Sequence, residues 1–71
     1  MASLPTLTAE AADWQTKIVL ADAGHDEDRG AAFTNWSATI ERIRVEHGAE
    51  AVEDAMDCCY RVAVLAEELF G

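Results

Sequence analysis

Basic residues are scarce in this chain, with five Lys and Arg set against fourteen Asp and Glu for a formal net charge of −9 over 71 residues. A body this acidic repels phosphate backbones and anionic headgroups, which disfavours direct binding to nucleic acid or to a membrane surface. Cysteine is scarce too, and the two present, Cys58 and Cys59, are adjacent. Neighbours on a helix point about 100° apart, a poor geometry for bridging to each other, so they read as reduced, partly buried thiols. No apolar run approaches the roughly 18 residues that span a bilayer, and the opening residues lack the basic-then-apolar layout of a secretory signal. The expected compartment is the cytoplasm. Internal repeats, low-complexity tracts and strand-like alternation are missing as well.

What is present is an ordinary apolar fraction of 51% spread along the chain, enough for one hydrophobic core and one domain. The pattern predicts a small all-α three-helix bundle with helices over about 9–23, 29–47 and 49–69. Thr8 is a natural N-cap for the first, Leu7 can staple onto its first turn, and Gly24 supplies a left-handed stop. Leu7, Ala11, Trp14, Ile18 and Ala21 fall on one face at alternating spacings of four and three. Asp26 or Asp28 can cap the second helix, where Phe33, Trp36, Ile40, Ile43 and His47 form another stripe, and Gly48 ends it.

The third helix carries two stripes, Val52, Met56, Cys59, Ala63, Ala66 and Phe70 beside Ala55, Cys58, Val62, Leu65 and Leu69. A face that wide normally sits between two neighbours, so this helix is expected to be the spine of the bundle. The expected core comprises Trp14, Phe33, Trp36, Ile40, Ile43, Val52, Met56, Cys59 and Leu69. Its polar side holds Glu50, Asp54, Asp57, Arg61 and Glu68, interrupted by Val64, and Asp57 with Arg61 can form a supporting i,i+4 pair. A core this small leaves Val19, Leu20, Val45, Val64 or Phe70 without cover, which points to a homodimer.

Asp22, His25, Asp26, Glu27 and Asp28 form the densest set of oxygen and nitrogen ligands, yet the spacing lacks the Asp-x-Asp-x-Asp-Gly run of a calcium loop. A solvated, helix-capping loop explains it better, and neither a metal nor another cofactor is expected. The two histidines have no sequence-placed nucleophile partner, the carboxylate pairs lie on a solvated face, and so small a chain has little volume for a pocket. It is read as a non-enzyme.

Glu50, Glu53, Asp54 and Asp57 form a ladder of negative charge rising about 5 to 6 Å per step, a spacing on the scale of nucleic-acid phosphates. Glu50, Glu53, Asp54, Asp57 and Tyr60, with Asp26, Glu27 and Asp28 as a second contact, are therefore the candidate partner-binding residues. The expected function is stoichiometric protein binding, as an inhibitor or adaptor that blocks a basic, nucleic-acid-binding surface. Phage and mobile-element inhibitors, including anti-CRISPR proteins, work this way, an analogy of size and charge. The alternative is an assembly subunit that self-associates through its apolar faces.

Overall fold

The computed structural model describes residues 2–70, which form three helices: α1, Leu4–Asp22; α2, Arg29–His47; α3, Ala49–Phe70. The all-α three-helix architecture and α2 match the sequence pattern, whereas α1 begins five residues before the expected start. Its N-cap is Ser3, in extended conformation, whose hydroxyl accepts from the Thr6 amide at 3.3 Å; Thr8 lies inside the helix. Pro5 belongs to the first turn, where its missing N–H has no helical partner to lose and its fixed φ suits the helix. At the other end, Ala23 caps α1 and Gly24 follows at φ 89°, the left-handed stop.

Asp28 caps α2, its carboxylate accepting from the Ala31 amide at 3.0 Å. Gly48, at φ 95° and ψ 172°, is the single residue between α2 and α3. Its carbonyl accepts the Val52 amide at 3.3 Å, so one glycine both ends α2 and opens α3.

The spine is α1, not α3: α1 packs against both other helices more extensively than they pack against each other. The reason lies in which residues of α3 face inward. Ala51, Ala55, Cys59 and Ala66 are the buried line, small side chains that let α3 approach closely with one narrow strip. Leu7 and Ile43, both fully buried, pack with Ala51 and Ala55, and Ala2, Leu4, Ile40 and Val52 close around them.

Of the expected core, Ile43 and Cys59 are buried, and Trp14, Trp36, Ile40 and Val52 are half-buried. Phe33, Met56 and Leu69 are exposed. Met56 is rotated out by the alanine line. Phe33 lies one position from the buried Ala32, and Leu69 sits in the last turn of the longest helix, where inward direction no longer guarantees a neighbour. Conversely Val19, expected to lack cover, is buried, whereas Val45, Val64 and Phe70 are exposed.

The body measures 34 × 21 × 15 Å, thin enough that every helix keeps a solvent side. The two ends differ. One is sealed by the Leu7 and Ile43 cluster; at the other the 22–28 turn is tied by Arg29 to Asp22 at 2.7 Å and by His25, whose Nε2 lies 3.4 Å from the Phe70 carbonyl and whose ring meets Phe70 edge-on.

Candidate functional site

Where charge is left unbalanced decides where an acidic protein can attract a partner. Arg42 and Arg44 on α2 pair with Glu46 and Glu41, and the hydrogen bonds from these guanidinium groups hold both carboxyls below the usual carboxylate range. Arg29 pairs with Asp22, and Arg61 with Asp57 at 3.2 Å, the i,i+4 pair expected on α3. Lys17 places its ammonium 4.4 Å from the Trp14 ring centre, a cation–π contact one helical turn long. All five Lys and Arg side chains are thus engaged, and both acids of α2 are paired.

The remaining acids gather in three places: Glu10 and Asp13 on α1, Asp26, Glu27 and Asp28 in the turn, and Glu50, Glu53, Asp54, Glu67 and Glu68 on α3. All of those on α3 are exposed. The expected ladder Glu50, Glu53, Asp54 and Asp57 is therefore solvent-facing, although Asp57 shares its charge with Arg61. Tyr60 is also exposed, at 69%.

The turn does not join this ladder. Residues 26–28 sit beside the C-terminal end of α3, and α3 rises about 30 Å from Glu50 to Phe70, so the two acidic groups lie at opposite ends of the molecule. Asp28 is committed to capping α2, which leaves Asp26 and Glu27 as the acids of the turn outside caps and ion pairs. Among the described residues no three His, Cys, Asp or Glu side chains gather as metal ligands, and no cavity opens.

Tyr60 and Val64, the apolar contacts expected on the polar side of α3, are joined there by Met56 in an exposed strip. Met56, Tyr60 and Val64, spaced four and four, are 41%, 69% and 40% exposed; at about 100° per residue they run from the flank of the buried line of Ala51, Ala55 and Cys59 round to its far side. Met56, expected in the core, stands at the surface. The signal that separates them was present: an unbroken series of small residues, Ala51, Ala55, Cys59, Ala63 and Ala66, supplies a packing line, which frees the larger series for the surface. Glu53 precedes the strip and Glu67 follows it. Each stands seven residues from Tyr60, two turns away and within about 20° of its direction, so an acid brackets the strip at both ends.

No helix among the described residues is long and apolar enough to cross a membrane. Comparison with family models, with curated proteins and with solved structures finds no match to this chain.

Proposed function

We propose that this protein acts by stoichiometric protein binding in the cytoplasm, as an inhibitor or adaptor that lays the outer face of α3 on a basic, nucleic-acid-binding surface of its partner. The observation that carries this is the concentration of unpaired acids on α3, with Met56, Tyr60 and Val64 between them, on a body whose α2 acids are both paired. Long-range attraction speeds encounter with a basic surface and weakens as salt screens it; a desolvated aromatic and aliphatic centre supplies the hold. The arrangement is analogous in size and charge to small phage and mobile-element inhibitors such as anti-CRISPR proteins. Asp26 and Glu27 would then meet a second region of the partner, near the far end of α3.

The test is affinity capture from the native host, with bound proteins identified by mass. It is repeated with Glu50, Glu53 and Asp54 changed to Lys, and with Glu10 and Asp13 changed to Lys as control. All are exposed, so both variants are expected to fold. Loss of a nucleic-acid-binding partner from the α3 variant alone is the expected result. Full capture by that variant rejects the acidic face as the contact.

A second reading, an assembly subunit that pairs with its own copy, is favoured by Leu65, Leu69 and Phe70, exposed together toward the C-terminal end of α3. Light scattering that gives a concentration-dependent, salt-insensitive mass selects this reading; a constant monomer mass discards it.

A further inference from the structure

Resting on the protein-binding reading above, we propose that the occupant of α3's outer face is a basic amphipathic helix of the partner. Its apolar side would seat on Met56, Tyr60 and Val64, and its Lys or Arg residues would reach Glu53 and Glu67. A face that only imitated a polyanion has no use for an apolar centre. Here the three side chains form a continuous strip about 12 Å long, and methionine and tyrosine are side chains that adapt to, and anchor, a packed contact.

The bracketing acids set the partner's pattern. Glu53 and Glu67 lie about 10 Å to either side of Tyr60 along a line nearly parallel to the α3 axis. A helix lying along α3 therefore meets apolar contact in its middle and negative charge two turns away in each direction. The complementary segment carries an apolar stripe flanked by bases at that distance. A second copy of this chain does not fit here, because its own strip would set Glu53 and Glu67 against the same acids. An amphipathic helix laid against this exposed face needs apolar anchors repeated at three or four residues, which a basic nucleic-acid-binding protein can present on one helix.

The test uses three synthetic peptides of about five helical turns: leucine and lysine patterned as an amphipathic helix, the same composition scrambled so that no apolar face forms, and the helical pattern with glutamate replacing lysine. Binding is measured by calorimetry, and methyl resonances of Met56 and Val64 are followed by NMR. The patterned lysine peptide is expected to bind at least tenfold more tightly than the scrambled one, to shift both methyl signals, and to be weakened at least tenfold by Tyr60→Ser. Glu53→Lys with Glu67→Lys, which leaves the apolar strip intact, is expected to weaken it as well. The glutamate peptide is expected not to bind.

Equal binding of patterned and scrambled lysine peptides overturns the helical occupant and leaves a basic partner in place, whereas failure of the underlying reading appears separately, as host capture that survives charge reversal on α3. Shifts centred on Leu65 and Leu69, or no binding of any peptide, also overturn the proposal.

Discussion

His47 donates its Nε2–H to the carbonyl oxygen of Ala2 across 3.1 Å, joining the last residue of α2 to the segment that leads into α1. This bond closes the end of the bundle that holds Leu7 and Ile43, where Ala2 itself packs onto the core. His47→Ala should cost about 1 kcal/mol for one partly buried hydrogen bond. In a domain of this size that lowers Tm by roughly 4 to 8 °C. A thermal melt followed by circular dichroism checks it, and hydrogen exchange should quicken at Thr6 and Leu7, whose amides depend on Ser3. An unchanged melt would show that the tie contributes nothing.

Leu7 and Ile43 are fully buried, and their inward neighbours on α3 are the alanines 51 and 55, which cannot expand into a void. Leu7→Ala and Ile43→Ala should each cost about 2 to 5 kcal/mol. Trp36 behaves differently. Its indole N–H is shielded from solvent and finds no full hydrogen-bond partner, with only the Cys59 thiol, a weak acceptor, placed to receive it. Trp36→Phe removes that buried donor, an offset of about 1 to 3 kcal/mol against the lost ring contacts. Urea denaturation should therefore rank Trp36→Phe close to the parent and both alanine variants far below it. The reverse order would place the core around Trp36.

Helix number, the span of α2 and the break at Gly48 were legible because each has a local cause: a capping Asp28, a glycine in a conformation other residues avoid, and an i,i+3/i+4 period. The start of α1 lies five residues before the one Thr8 predicts because Ser3 is an equally good cap and Pro5 fits the first turn that follows it. Burial on α3 was less legible. Half of that helix is apolar, so period alone admits several inward directions, and the choice was made by alanines that permit close approach to α1 and α2. The acids of the candidate face were legible as exposed, since charge rarely enters a small core. Their separation from the 22–28 turn was not, because it depends on α3 running the full length of the body.

Gly48 connects α2 to α3 alone, and its φ of 95° with ψ of 172° is a combination available essentially only to glycine. A Cβ at this position would meet no atom within 4 Å, so a substitution is strained by backbone conformation and not by crowding. Gly48→Ala should cost about 1 to 3 kcal/mol. A chemically synthesised chain with D-alanine at 48, whose preferred angles mirror those of the L residue, should recover the loss. If the L-alanine variant melts with the parent, the one-residue joint does not hold this conformation.

Cys59 is 2% exposed, and burial pushes its thiol above the ordinary range, whereas Cys58 beside it is half-buried. The thiolate is the nucleophile, so iodoacetamide at neutral pH should modify Cys58 first and reach Cys59 only when the bundle opens. Mass analysis of tryptic peptides after mild unfolding separates the two. The same displacement gives a sign for stability. The unfolded thiol, near its free value of about 8.5, releases its proton at lower pH than the folded one, so folding loses support as pH rises above that value and the loss levels off once the folded thiol also ionises. Denaturation midpoints taken from pH 7 to 10 should fall more steeply for the parent than for Cys59→Ala, which has no proton to release at that site. Parallel curves for the two proteins would mean that Cys59 is as free to ionise in the bundle as in the unfolded chain.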